Sequence, residues 1–273
     1  SAAGTFRSVP KQLQVFRTPP QGWPAVAALC RDLGIGKVAI ALPAEDRRRY
    51  LEDPQRGIAA FAPLRDAGLR VNCLVGDAAW LETLPGGLPV DVLELLRLHD
   101  TVFRFDALLL TIEPQALAGW KTRDRGGLMR STLDLLGQTR TACRMHELNA
   151  AAVLSSSLAQ VGSPERKAGS FFDSCLARLD EAVLASYRND PEAAIRSAGA
   201  ALDAVAQRPI PVWFGLTTQA MERPGASYYG LGLKRFEQDV ALLHTRLAAL
   251  PAGPAVAGIA INQFDSLRQL AGA

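Results

Sequence analysis

Short runs of apolar, often β-branched residues recur eight times along the 273 residues, separated by longer amphipathic segments. Apolar runs of this length are typical of buried parallel strands, and the segments between them carry apolar residues at helical spacing. The predicted strands are Gln12–Arg17, Lys37–Leu42, Arg70–Gly76, Phe105–Ile112, Ala151–Ser157, Ala182–Tyr187, Pro211–Leu216 and Val256–Ile261.

Eight strands that alternate with helices favour a closed barrel over an open sheet, since doubly wound sheets usually have fewer strands. The sequence therefore predicts the α/β class and a single (β/α)8 TIM barrel that spans residues 1–273. No glycine-rich dinucleotide fingerprint follows the first strand, and no G-x-x-x-x-G-K phosphate loop occurs.

The composition excludes several classes of function. The net charge is only +3, and no Lys/Arg block with interleaved aromatic residues suggests a nucleic-acid partner. The arginines Arg47 to Arg49 are interpreted as a solvated helix end. No run of 18 apolar residues is present, so we expect no membrane span.

The four cysteines form no C-x-x-C pair and none has a histidine at metal-ligand spacing, so we expect neither a metal nor an organic cofactor. Cys30 and Cys73 are expected in the core, and Cys143 could be exposed. The chain begins Ser-Ala-Ala-Gly without a methionine. Export to the periplasm or the medium is therefore one expectation, with the targeting segment removed.

Polar and aromatic side chains cluster where the predicted strands end. In barrels of this type the active site lies at the carboxyl ends of the strands. Carboxylates, amides and aromatic rings together suit a carbohydrate ligand, because sugars offer hydroxyl groups and an apolar ring face. The candidate ligand-binding residues are Arg17, Trp80, Thr111, Tyr187, Arg188, Asn189, Gln219, Tyr228 and Asn262.

Glu113 is the first candidate for catalysis. Strand alternation places Phe105, Ala107, Leu109, Thr111 and Glu113 on one face, directed into the barrel mouth. Beside the apolar residues of the fourth strand, a carboxylic acid would keep its proton and could act as a general acid. The alternative is an exposed glutamate held by an arginine at another strand end, Arg17 or Arg188.

Asp77 and Asp265 are candidates for a second catalytic carboxylate. Each has a structural alternative, since Asp77 precedes a short helical segment and Asp265-Ser266 also has the form of a helix cap. The three histidines fall in helical segments away from the strand ends, so a Ser-His-Asp arrangement is not expected.

Six short segments occur in an order that resembles a loosely characterised family of bacterial (β/α)8 barrels similar to glycoside hydrolases. They are Val75–Trp80, Phe105–Pro114 with its final Ile-Glu-Pro, Ala185–Asn189, Phe214–Thr218, Ser227–Gly230 and Gly258–Asn262. The resemblance covers most of the chain beyond residue 35. It implies a carbohydrate ligand and an acid/base role for Glu113.

Three positions depart from the family pattern. The family usually has an aspartate two residues before the glutamate, where this chain has Thr111. Its glutamate after the seventh strand is Thr218 here, and its His-Asp after the eighth is Asn262-Gln263. Two hypotheses follow: a glycoside hydrolase that acts on a poly- or oligosaccharide through Glu113, or a non-catalytic carbohydrate-binding or scaffold barrel associated with polysaccharide-export components.

Overall fold

The computed structural model describes residues 2–84, 86–99, 103–165 and 169–272. Within these ranges eight parallel strands close into a barrel in sequence order, β1 beside β8. The strands are β1 Lys11–Val15, β2 Lys37–Ala41, β3 Arg70–Val75, β4 Ala107–Leu110, β5 Asn149–Ser155, β6 Glu181–Ala185, β7 Val212–Thr217 and β8 Val256–Asn262. The predicted (β/α)8 barrel is confirmed.

Helices surround the barrel. The helices are α1 Ala2–Ser8, α2 Trp23–Leu33, α3 Ala44–Glu52, α4 Pro54–Asp66, α5 Trp80–Thr83, α6 Val90–Arg97, α7 Arg125–Arg144, α8 Phe171–Leu176, α9 Pro191–Gln207, α10 Leu233–Ala248 and α11 Phe264–Leu270. Helices α4 and α9 begin with proline and α2 has proline at its second position, where the residue's missing amide hydrogen is not needed because the first helical turn leaves its amides unpaired. Asp190 caps α9 by accepting a hydrogen bond from the amide of Ala193 at 2.8 Å.

Strand alternation separates two apolar layers. The large outer layer lies between the strands and the helices and holds most of the valine, leucine and isoleucine side chains. The inner layer lies inside the barrel and combines alanines with two leucines, two valines and one indole, that of Trp213. Gly258 on β8 pairs with Trp213, and a Cβ at Gly258 would clash with the Pro10 carbonyl oxygen and lie 2.8 Å from the indole ring. Glycine at this position therefore makes room for both the Pro10 backbone and the tryptophan.

A buried ion pair crosses the barrel interior. The Lys37 ammonium on β2 lies 2.9 Å from the Glu181 carboxylate on β6, and both side chains are less than a tenth exposed. The same ammonium lies 5.2 Å from the centre of the Trp213 ring. Because each charge is desolvated, each depends on its partner for compensation.

Four expectations about single residues are corrected. Phe105 precedes β4 and packs in the outer layer against Phe103 and Phe61, so it does not share the inward face of Glu113. Arg47 is buried in α3, where it pairs with Asp91 at 2.8 Å and donates to the Leu42 carbonyl. It is therefore not part of a solvated helix end.

Leu108 and Leu110 point outward into the helical layer and do not flank the Glu113 carboxylate. Cys143 is buried, as are the other three cysteines, and all four thiols are free.

Candidate functional site

A cleft of about 340 Å³ opens at the carboxyl ends of the strands, over the barrel interior. Its depth comes from inward positions of β1 and β5, and its rim from residues that follow β1, β3, β4 and β6 and from the last residue of β8. The lining residues are Gln14, Phe16, Gly76, Asp77, Ala78, Thr111, Glu113, Ala116, Val153, Tyr187 and Asn262. Five of the residues named from the sequence therefore converge: Asp77, Thr111, Glu113, Tyr187 and Asn262.

Glu113 lies at the rim, between the end of β4 and a short 3-10 turn over Pro114–Ala116. Thr111 and Glu113 both line the cleft, while Ile112 between them is buried. The Glu113 carboxylate is exposed and makes no hydrogen bond or ion pair within the described ranges. The arginines proposed as its alternative partners are engaged elsewhere, Arg17 with Asp265 and Arg188 with the Tyr187 carbonyl.

Asp77 is at once a cleft residue and a local cap. Its carboxylate accepts a hydrogen bond from the Ala79 amide at 2.8 Å and so holds the turn that leads into α5. Because β3 pairs directly with β4, with Val75 opposite Leu110, Asp77 and Glu113 follow neighbouring strand ends. Gly76 permits this closeness, since a Cβ there would lie 2.6 Å from the Thr111 carbonyl oxygen.

Tyr187 and Asn262 form a hydrogen-bonded pair across the far side of the cleft. The Asn262 amide donates to the Tyr187 hydroxyl at 3.0 Å. Burial raises the pKa of the Tyr187 phenol, and the nearby negative charge of Glu113 raises it further, against the effect of the Asn262 hydrogen bond. The phenol therefore stays protonated at neutral pH and can donate a hydrogen bond to a ligand.

Phe16 is a cleft residue that was not predicted from the sequence. It follows β1, it is 37% exposed, and it lines the same cleft as Glu113. Strand alternation could have identified it. Gln12, Gln14 and Phe16 occupy every second position and so share one face of the strand, and Gln14 also lines the cleft. An exposed aromatic ring inside a polar cleft offers a stacking surface for a sugar ring.

Arg17 and Asp265 meet at the rim without lining the cleft. They form an ion pair at 3.3 Å that joins the end of β1 to the first turn of α11. The structure thus brings Asp265 to Arg17 and not to Glu113.

The other predicted polar residues support the loops. The Asn189 amide donates to the Ser227 carbonyl at 2.8 Å, and the Gln219 main-chain amide donates to the Thr217 hydroxyl. Thr218 occupies the position where the resembled family has a glutamate. It is fully buried, and its hydroxyl forms a hydrogen bond with the Ser266 hydroxyl at 2.7 Å. These contacts shape the loops after β6 and β7 without placing the side chains in the cleft.

Two predicted aromatic residues also lie outside the cleft. Trp80 is partly buried against the outer layer, with the Arg47 guanidinium 5.9 Å from its ring centre. Tyr228 is fully buried and packs edge-on against Phe236 at 5.1 Å. The expectation that Tyr228 stacks on a ligand is therefore incompatible with its position, whereas its neighbour Tyr229 is exposed.

Among the described residues no group of three or more histidine, cysteine, aspartate or glutamate side chains is arranged to hold a metal ion. In the same part of the chain, no helix combines the length and the hydropathy that a membrane crossing requires.

Comparison by sequence gives no relative: neither a protein-family model nor a curated protein matches the chain. Comparison by structure gives many. A GH18 chitinase from Pseudoalteromonas aurantia superposes with a TM-score of 0.58, at 11% identity over 94% of each chain. The PgaB (BpsB) glycoside hydrolase domain from Bordetella bronchiseptica gives 0.54, at 14% identity over 96% of each chain.

An endo-β-N-acetylglucosaminidase from Cordyceps militaris gives a TM-score of 0.51 at 12% identity, over 92% of this chain and 79% of that one. At such identities the likeness concerns the fold. The chain has the eight-stranded parallel barrel of GH18 chitinases and related glycoside hydrolase domains, in agreement with the glycoside-hydrolase-like resemblance of its sequence.

Proposed function

We propose that the protein binds an oligosaccharide or polysaccharide chain in the cleft and hydrolyses a glycosidic bond with Glu113 as the general acid. The observation that carries this proposal is the convergence, in one cleft at the strand ends, of two carboxylates, a phenol–amide pair and an exposed aromatic ring. The glycoside hydrolase fold of the solved neighbours supports it.

Glycoside hydrolysis generally needs one carboxyl group that protonates the leaving oxygen and a second that assists attack at the sugar carbon. Glu113 suits the first role because its carboxylate has no partner in the described ranges and faces the cleft. Asp77 is the candidate for the second role, from the neighbouring strand end. The ion pair of Asp265 with Arg17 argues for a rim role for this third carboxylate.

The remaining cleft residues would orient the sugar. The Tyr187 hydroxyl can donate to a sugar oxygen because it receives its own hydrogen bond from Asn262. Gln14 adds an amide from β1, and Phe16 adds an apolar ring face. This mixture of donors, acceptors and one aromatic surface is the usual composition of a carbohydrate pocket.

The names of the structural neighbours suggest the first glycans to test. Two of them are a chitinase and an endo-β-N-acetylglucosaminidase. We propose chitin and its oligomers, which consist of N-acetylglucosamine, as the first substrates in a wider panel of bacterial and plant polysaccharides.

A second candidate function, carbohydrate binding without turnover, is favoured by one observation. Thr111 occupies the inward position below Glu113, and its hydroxyl makes a long contact of 3.5 Å to the Val75 carbonyl. Threonine cannot supply the negative charge of the aspartate that the resembled family has there. A barrel that binds glycans as a scaffold, for instance beside polysaccharide-export components, would need no such charge.

Reducing-end release separates the two candidates. The wild-type protein is compared with Glu113→Gln, which keeps the shape of the side chain but cannot donate the catalytic proton. Glu147→Gln is the matched control, because Glu147 is also exposed but precedes β5 at the opposite end of the barrel.

We expect release by the wild type and by Glu147→Gln and none by Glu113→Gln. Equal release by all three proteins would exclude Glu113 as the acid. Binding of a glycan without release by any of the three would establish the binding function instead.

A further inference from the structure

A second hollow lies beside the cleft at the same end of the barrel. Its volume is about 290 Å³, and it lies between the loop that follows β7 and helix α11. The lining residues are Tyr229, Gly230, Gly232, Ser266, Gln269 and Leu270. We propose that this Tyr229 hollow is a second carbohydrate subsite, which makes the protein select oligosaccharides long enough to span both hollows. The proposal rests on the carbohydrate function proposed above.

Tyr229 is an exposed aromatic ring on a braced backbone. It is 50% exposed, and its main-chain amide donates to the Ser227 hydroxyl at 2.9 Å. The same hydroxyl donates a short hydrogen bond to the Gln219 carbonyl, and the next amide, that of Tyr228, donates to the Thr217 carbonyl at 3.0 Å. The backbone that carries the ring is thus tied to the end of β7 before any ligand arrives. Such preorganisation of the backbone lowers the entropy that binding must overcome.

The surroundings of the ring match a sugar. Gly230 and Gly232 carry no side chain, so backbone alone borders the ring on that side of the hollow. Gln269 is exposed, and its side-chain amide forms no hydrogen bond to any residue that the structure describes. An aromatic face with a free amide nearby can receive the apolar face of a pyranose and one of its hydroxyls.

Sequence neighbours connect the Tyr229 hollow to the cleft along the rim. Ser266 lines the hollow, and the residue before it, Asp265, pairs with Arg17. Arg17 follows Phe16, which lines the cleft. Because β8 neighbours β1, a glycan bound in both hollows would pass this ion pair, whose charged groups can form hydrogen bonds with sugar hydroxyls.

The test measures affinity as a function of chain length. Calorimetric titrations use N-acetylglucosamine oligomers from dimer to hexamer, on full-length protein with Glu113→Gln present throughout to prevent turnover. Tyr229→Ala removes the ring, and Tyr229→Phe keeps it. Leu242→Ala is the matched control, because Leu242 is a similarly exposed side chain at 43% but lies on α10, away from both hollows.

We expect Tyr229→Ala to weaken hexamer binding by about fivefold to tenfold, as loss of an aromatic stacking contact would, and to leave dimer binding unchanged. Tyr229→Phe and Leu242→Ala should bind every oligomer as the parent does. Hexamer binding that Tyr229→Ala does not weaken would overturn the subsite and leave the proposed function intact. Failure of every oligomer to bind the parent would overturn the subsite for this glycan class and count against the proposed function too.

Discussion

The ion pair inside the barrel leads to a sharp prediction about stability. Lys37 and Glu181 lie on opposite strands, 2.9 Å apart, with side chains that are 3% and 9% exposed. Lys37→Met keeps the length and much of the volume of the side chain but removes the charge. The Glu181 carboxylate would then be left in the interior without its only ionic partner among the described residues.

The magnitude follows from that desolvation. Removing one member of a buried ion pair typically costs about 3–5 kcal/mol, because the remaining charge is uncompensated. For a domain slightly larger than 250 residues, each kcal/mol lowers Tm by about 2–4 °C, so the expected fall is roughly 6–20 °C. Lys37→Met also removes the ammonium beside the Trp213 ring, and the loss of this cation–π contact should lower Tm further.

Thermal unfolding followed by circular dichroism measures the effect. The matched variants are Lys37→Met, Glu181→Leu and the double change, and Lys234→Met on the exposed surface of α10 is the control. We expect each single change in the pair to lower Tm strongly. The double change should recover most of the lost stability, since no unpaired charge then remains buried. A Lys37→Met protein whose Tm lies within about 2 °C of the wild type, a loss of at most about 1 kcal/mol, would refute this reasoning.

Two further predictions concern the cleft and the thiols. Tyr187→Phe should lower kcat/KM about tenfold, since it removes a hydroxyl contact and leaves the Asn262 amide without its acceptor. Because burial raises the pKa of the Tyr187 phenol, the loss should be constant from about pH 5 to 9, and a loss that changes across this range would contradict the assignment. The native protein should resist iodoacetamide at about pH 8 and react fully in guanidinium, as mass spectrometry would show. Burial raises the pKa of Cys30 and Cys143 to about 12, and rapid modification of any native thiol would contradict the buried positions of Cys30, Cys73, Cys143 and Cys175.

The sequence predicted the barrel because its strands are buried on both faces and therefore appear as apolar runs. Their ends were less well determined. The predicted fifth strand begins at Ala151, whereas β5 begins two residues earlier, at Asn149, whose polar side chain gives no apolar signal. For helix α3 the sequence indicated only a solvated helix end at Arg47 to Arg49, since the sequence AEDRRRYLE is almost wholly polar. The burial of Arg47 accompanies its pairing with Asp91, a contact between residues 44 positions apart.

The site was predicted in part for the same reason. Alternation along β4 correctly directs Thr111 and Glu113 into the cleft, because strand geometry fixes every second residue on one face. The loops have no such period. Tyr228 and Tyr229 are adjacent and chemically alike, yet the first is buried against Phe236 and the second is exposed. Only the tertiary contacts of the loop after β7 distinguish them.

The composition of the inner layer gives this barrel a means of changing its substrate. Besides alanines, the layer contains Leu74 on β3, Leu109 on β4, Val153 on β5, Val183 on β6 and Trp213 on β7, so several side chains together fill the axis below the cleft. Because Val153 itself lines the cleft, shortening it to alanine would deepen the binding site without displacing a strand, and enlarging Ala185 on β6 would make it shallower. The reach of the protein toward larger or smaller ligands is thus adjustable at single positions on β5 and β6, independently of the loops that carry the proposed chemistry.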